Sequence, residues 1–415
     1  MRMYRPLLIS IIFFSSITSA ANAQDVPANF SFHGSGYGHG VGMSQMGARG
    51  MALAGESPTQ ILQYFYKDVT IEPRDDSKIV RVNIGHLLSS AKMSTSTTGA
   101  VIELFSGDIG NRVDAQPIAV MPAKATLNLS LLGSSVVPSV SVGKKTTSIV
   151  KGRSFTIRWS GTRDLPGIDA LVAVTQSGAT KKFRYGQVQV KVVRDLLLGY
   201  RMELTNSVRL SDEYLWGVSE MPSYWPIAAL QAQAIASRSY ALSKAGIYRS
   251  ACDCDLYGEI SDQMFLGYAK ESEKKYGAIW KSAVSDTAGM TITQAGLPIT
   301  AYFFSSSGGK TESSTNAWGS EKPYTQIVDD PGSLDPVLNP RFVSWDQSIS
   351  QTSVAAAFLL PDVLTLEIVS RNESGTVAII RATSSAGVQI SLRGETFRSR
   401  TKIPSAYFDL VSVQN

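Results

Sequence analysis

The sequence predicts an α+β fold: a helical core around a central Ala-rich helix, packed with mixed β-sheets, plus a β-rich domain. Three observations lead there. Residues 226–244 carry Ala228, Ala229, Ala232, Ala234, Ala236 and Ala241 behind Pro226, a pattern that favours helix and close packing. Residues 78–200 hold alternating or β-branched runs, Ile79–Ile84, Val101–Leu104, Ser154–Trp159 and Gln187–Val192, separated by Ser, Thr and Gly stretches. With 415 residues, 43% hydrophobic and 18% charged, the chain is long enough for two or three domains and a well-buried core.

The chain opens with Arg2 and Arg5, an apolar run from Leu7 to Ile17, and the small residues Ala21-Asn22-Ala23. This is the pattern of a signal peptide over 1–23, so the mature chain is expected to start at Gln24 and to be secreted or associated with a cell wall. The apolar run is too short to span a bilayer comfortably. The formal charge of +5 falls by two to +3 when Arg2 and Arg5 leave, because residues 1–23 contain no acid. That mild bias suits anionic surfaces and is far too weak for nucleic acid, and no basic stripe with interleaved aromatics is present.

Asn29 to His33 alternates as a short strand. Glycine then occupies every second position from Gly34 to Gly42. In an extended chain this period puts bare backbone on one face, open to close approach, and Ser35, Tyr37, His39, Val41 and Met43 on the other. The spacing does not match a dinucleotide fingerprint. A helix is expected from Ser44 as N-cap to Gly55 past its end, and another from Ser57-Pro58 through Phe65. Residues 24–70 therefore form a Gly-rich loop with short helices. The β region 78–200 offers no chemistry and reads as a scaffold or binding domain. Residues 201–415 form the third segment.

Glu220 ends the run Glu213-Tyr214-Leu215-Trp216-Gly217-Val218-Ser219-Glu220 and precedes Met221-Pro222-Ser223-Tyr224-Trp225-Pro226. A carboxyl flanked by Trp216, Met221, Tyr224 and Trp225 is expected to be partly desolvated and to hold its proton near neutral pH, as a general acid requires. On the Ala-rich helix, Gln231 and Arg238 share one stripe, and Gln233, Ser237 and Tyr240 another. On a buried helix such groups need partners, either neighbouring loops or substrate. Lys274 to Asp286 reads as a helix closed by Ala288-Gly289. Strands Met290–Thr293 and Ile299–Phe303 follow, joined by Gln294-Ala295-Gly296. Ser305-Ser306-Ser307-Gly308-Gly309-Lys310-Thr311 looks like the end of a phosphate loop but lacks its first glycine and a following helix, so no nucleotide is expected. Ser306 and Ser307 are instead placed at a cleft. Strands are expected at 364–370, 377–382, 389–392 and 408–413. The two cysteines, Cys252 and Cys254, stand as a tight disulfide or as plain thiols rather than as a metal site, since the three histidines all lie elsewhere.

These motifs together resemble the stage II sporulation protein D family, also called the LytB amidase-enhancer family. The resemblance rests on Glu213 to Pro222 with Trp225-Pro226, on Ala229 to Ala241, on Gly38-His39-Gly40-Val41-Gly42-Met43-Ser44-Gln45, and on Tyr302 through Lys310-Thr311 to Trp318 with Asp329-Asp330-Pro331. It implies an exported lytic transglycosylase acting on peptidoglycan glycan strands, with Glu220 as catalytic acid and base. A non-catalytic wall-binding enhancer of an amidase is the alternative it carries. Substrate contacts are expected from Tyr37, His39, Gln45, Trp225, Gln233, Arg238, Tyr240, Ser306 and Ser307. No cofactor and no metal are expected. Some relatives hold a metal with one His and two Cys after the helix, and here that segment has no His. The usual family order also places the Gly-His-Gly loop near the C-terminus. Its place here implies a circular permutation, with Phe30–His33 beside Phe408–Val413, the β region as an insertion, and His39 in one cleft with Glu220.

Overall fold

The computed structural model describes residues 25–411. The expected signal peptide lies outside the described residues, as do residues 412–415. The fold is α+β. Two largely antiparallel sheets make the β region. One has seven strands and includes Ile79–Leu88, Gln187–Asp195 and Gly199–Arg209. The other has six and includes Ser90–Thr95, Thr126–Leu132 and Val172–Gln176. Alternation drives both: in Thr126–Leu132 the inward Leu127 and Leu129 are fully buried.

The boundary expected at 200 falls inside the strand Gly199–Arg209. That strand pairs over nine residues with Gln187–Asp195 on one side and with Ile79–Leu88 on the other. The β region and the helical core thus share one continuous apolar core, from Leu127 and Phe155 through Met202 and Leu204 to Leu230 and Trp280.

The Ala-rich helix spans Ile227–Lys244 and packs against helices Gln45–Leu53, Pro58–Phe65 and Lys274–Asp286 and strand Met290–Gln294. Its buried alanines keep neighbouring backbones close. The caps expected from sequence are present. The Ser44 hydroxyl accepts from Gly47 N, and Ser57 with Gln60 makes a reciprocal capping box ahead of Pro58. The expected strand 299–303 is broken: only Leu297–Pro298 and Phe303–Phe304 are in strand geometry, and residues 299–302 between them are irregular.

A second core is built from two of the expected segments, 24–70 and 201–415. Phe30, Phe32, Trp345, Phe358, Ile380, Phe397 and Phe408 pack together apart from the first core. The strand Asn29–Gly34 sits at its centre, antiparallel to both Trp345–Ser350 and Phe408–Val411. Ser31 faces Val411 and Gly34 faces Phe408, so the expected pairing of these two strands is present. The expected C-terminal strands are joined by a helix the sequence pattern hid, Gly394–Thr401. Among the described residues no helix is long and apolar enough to cross a membrane.

Candidate active site

Glu220 leaves the strand Gly199–Arg209 through two short turns, Leu210–Tyr214 and Leu215–Gly217. The segment 217–220 then zips onto residues 264–266. Ser219 N donates to Met264 O at 2.8 Å, and Leu266 N donates to Gly217 O at 2.8 Å. This ladder aims the Met264 N–H at Glu220 Oε1, 2.6 Å away. Burial pushes the Glu220 carboxyl above its ordinary value of 4.5, and the Met264 hydrogen bond only partly offsets that.

The carboxyl opens into a cleft of about 440 Å³ whose lining includes Tyr37, His39, Gln45, Tyr240 and Asp262. The aromatic neighbours in sequence do not build it. Trp216 lies between Tyr185 and the Lys281 ammonium. Tyr224 is 62% exposed and meets Tyr276. Trp225, expected at the substrate, is buried beneath the Arg49 guanidinium, 5.0 Å from its ring centre. The apolar wall comes instead from Tyr302, Phe303, Phe304 and Trp318, about a hundred residues further on.

The Gly-rich loop forms the opposite wall, in a different conformation from the one its period suggests. It is not extended. Gly38 has φ +118° and Gly42 φ +81°, so the chain kinks at alternate residues. Its bare side is pressed on backbone and Cβ atoms of the protein's own chain. A Cβ on Gly38 would lie 2.8 Å from Phe304 Cβ, and one on Gly42 would run into the Tyr302 carbonyl oxygen. Tyr37, 48% exposed, packs tilted against Phe342 with ring centres 4.4 Å apart. His39 stands edge-on to Trp318 at 5.2 Å and accepts from Val41 N through Nδ1 at 3.0 Å. Burial, with the Arg398 charge beside it, lowers the His39 pKa to about 3, so the ring is neutral. His39 and Glu220 line the same cleft.

Gln45 ties the loop to the acid: its Nε2 donates to the Glu220 carbonyl and to Gln233 Oε1, both at 3.2 Å. Gln233 is wholly buried and donates onward to Ser237, so it supports Gln45 from behind. Tyr240 does reach the cleft, where its hydroxyl donates to Asp262 at 2.7 Å. Asp262 is the second carboxylate of the cleft, and it is fully committed. Its side chain is 2% exposed and also accepts from Arg249 and from Tyr257 N.

Three expected contacts are corrected by burial. Arg238 is 0% exposed, its charge met by Asp76 at 2.7 Å and its other donors by Met290 O and Val284 O. Ser306 lies under Tyr37, its backbone paired with that residue. Ser307 donates to Asp330 at 2.7 Å inside the fold. The neighbouring Ser305 lines the cleft in their place.

Arg398 is a cleft residue that the sequence does not mark. It reaches the cleft from the hidden helix Gly394–Thr401. Glu395 takes its Nε and Nη2 atoms, both at 2.8 Å, and among the described residues Nη1 has no hydrogen-bond partner. The guanidinium therefore keeps one edge turned to solvent for an acceptor.

Cys252 and Cys254 are bonded to each other and fully buried. Their sulfurs do not fit a thiolate metal site, and among the described residues no group of three or more His, Cys, Asp or Glu is placed to hold a metal. The ring braces Arg249, whose N–H donates to Cys254 O at 2.8 Å and whose side chain holds Asp262.

Residues 199–294 match the family model described as Stage II sporulation protein (SpoIID). Stage II sporulation protein D of Bacillus subtilis (strain 168) is 35% identical over 132 residues, 29% of this chain and 38% of that protein. The Amidase enhancer of the same organism is 36% identical over 106 residues, 26% of this chain and 13% of that protein. Stage II sporulation protein D of Bacillus amyloliquefaciens is 29% identical over 218 residues, 48% of this chain and 59% of that protein. In each case the similarity spans less than two thirds of the relative's length. The matched segment carries Glu220, the Ala-rich helix and the loop that holds Asp262 and Met264, and over this segment the chain is similar to stage II sporulation protein D.

Proposed function

We propose that the chain is an exported lytic transglycosylase that cuts peptidoglycan glycan strands between N-acetylmuramic acid and N-acetylglucosamine, with Glu220 as the single acid and base. The observation that carries this reading is the contrast between the two cleft carboxyls. Glu220 takes one protein hydrogen bond and is held toward its protonated form. Asp262 has its oxygens filled by Tyr240, Arg249 and Tyr257 and its side chain out of solvent. The usual retaining and inverting routes of hydrolysis use a second free carboxylate, as nucleophile or to activate water. Intramolecular transfer does not. Glu220 gives its proton to the glycosidic oxygen as the C1–O bond breaks. The resulting carboxylate then takes the proton of the muramic acid 6-hydroxyl while that oxygen bonds to C1, which yields the 1,6-anhydro end and restores the acid.

In the same reading Tyr37, Trp318 and Tyr302 give sugar rings apolar walls, and the open edge of Arg398 receives a substrate carboxylate. Neutral His39 serves as a hydrogen-bonding group, not as a charge. The adjacency of strands 29–34 and 408–411 supports a circularly permuted arrangement, since a hairpin joining them would place the Gly-His-Gly loop after the final strand.

The similarity to a protein named Amidase enhancer supports a second reading, a wall-binding partner that stimulates a cell-wall amidase without cutting glycan. Incubation of purified glycan strands with the protein alone, followed by mass analysis, separates the two. Anhydro-ended fragments support the enzyme. Intact strands, together with faster peptide release when an amidase is added, support the enhancer.

A further inference from the structure

The hairpin joining strands Gln187–Asp195 and Gly199–Arg209 ends in Leu196-Leu197-Leu198. Leu196 is 100% exposed, Leu197 94% and Leu198 51%. The turn does not need them. Asp195 pairs with Gly199 to leave a three-residue loop, and Gly199 takes the left-handed position at φ +73°. Asp195 Oδ1 accepts from Leu197 N at 2.9 Å and Leu198 N at 2.7 Å. Turn chemistry is thus supplied by the backbone, Asp195 and Gly199, whatever side chains ride on the tip. The other hairpins of these sheets carry Gly133-Ser134, Gly143-Lys144 and Ser177-Gly178, so the leucines are a departure within the same domain.

A basic collar lies directly behind the tip. Arg194 faces Tyr200 across the ladder, Arg201 follows it, and the Arg153 guanidinium sits 5.9 Å over the Tyr200 ring. The acid of this stretch, Asp195, is held ionised by the two backbone N–H groups, and its single negative charge is outweighed by Arg153, Arg194 and Arg201. An apolar point, an aromatic residue behind it and cations around that match the depth profile of a lipid surface: acyl chains, interface, then anionic headgroups. A protein partner fits less well, because a specific interface buries roughly 800 Å² per side and a convex three-residue tip offers far less.

We propose that this hairpin tip inserts into an anionic lipid surface and tethers the protein there. The strand Gly199–Arg209 then acts as a spacer of eleven residues, about 35 Å at an extended rise, between the lipid and the turns that lead to Glu220. The inference stands apart from any activity at Glu220.

The test is co-sedimentation of the chain from Gln24 onward, which removes the apolar leader and keeps every described residue. Vesicles of phosphatidylcholine alone are compared with vesicles that also contain phosphatidylglycerol. We expect binding to the anionic vesicles that weakens with salt. The double variant Leu196→Asp, Leu197→Asp should lose at least about tenfold in partitioning, and Arg153→Gln with Arg194→Gln should lose less. Unchanged circular dichroism and melting temperature establish that the variants fold. Wild-type protein that stays in the supernatant with anionic vesicles, or a leucine variant that sediments as well as wild type, overturns the proposal. So does a wild-type dimer that the leucine variant breaks with no change in lipid binding, which would assign the tip to a protein contact.

Discussion

Gln45 and Glu220 stand 175 positions apart in the chain, and the Gln45 side chain donates a 3.2 Å hydrogen bond to the Glu220 backbone carbonyl. The contact makes the amino-terminal segment part of the wall that holds the acid. Gln45→Ala removes this bond and the one to Gln233. We expect a stability loss of about 1 kcal/mol and a fall in cutting of roughly tenfold or more, because a slightly misplaced acid loses much of its rate. Activity and urea midpoint measured on one preparation check it. A loss of activity no larger than the loss of folded protein would remove the positioning role.

His39 gives a pH signature. Its folded value, about 3, lies below the ordinary 6.5. Below pH 6.5 the unfolded chain binds a proton that the folded chain refuses, so stability falls as pH drops from 6.5 toward 3. Wild type should therefore lose more stability than His39→Asn between pH 7 and pH 4 in urea titrations. Parallel losses would mean that the ring titrates normally in the fold. At neutral pH, His39→Asn should reduce cutting more than it lowers the melting temperature.

Arg238 belongs to the fold. Removing a buried partner of an ion pair costs about 3–5 kcal/mol, and Asp76 would be left with no counter-charge. Arg238→Ala should lower the melting temperature sharply, with activity lost only in step with folded protein. A well-folded but inactive Arg238→Ala would return this residue to the site.

The architecture is legible where the local signal is strong. Pro226 and the alanines mark the helix 227–244, and Ser57-Pro58 marks its neighbour. The Gly-rich loop is legible as a functional segment but not in its shape. Alternation reads as an extended strand, whereas positive φ at Gly38 and Gly42 lets it fold around Tyr302 and Phe304. Glu220, Tyr37 and His39 sit in dense motifs. Asp262 comes from a loop, Trp318 from the end of the short helix Ser314–Trp318 and Arg398 from a helix with no side-chain N-cap, and only tertiary packing brings them to Glu220. Arg238 misleads for a related reason: a charge on an Ala-rich helix looks available until Asp76, 162 positions away, is seen to neutralise it.

Glu220 carries a cost to the fold. Its carboxyl binds a proton more tightly in the folded chain than in the unfolded one. Between the ordinary 4.5 and the raised value, stability therefore falls as pH rises. Glu220→Gln removes this dependence and keeps an acceptor for Met264 N. Its melting temperature should match wild type at pH 4 and equal or exceed it at pH 7. A Gln variant less stable at pH 7 than at pH 4, relative to wild type, would contradict the raised carboxyl.

The central claim, that one carboxyl carries the chemistry, is tested most directly by product analysis of purified glycan strands with wild type and Glu220→Gln side by side. The account predicts 1,6-anhydro ends from wild type. It predicts a rate lower by ~10²–10⁴-fold from Glu220→Gln, with strand binding retained. Anhydro ends released by Glu220→Gln at the wild-type rate, or reducing ends in place of anhydro ends from wild type, would contradict it.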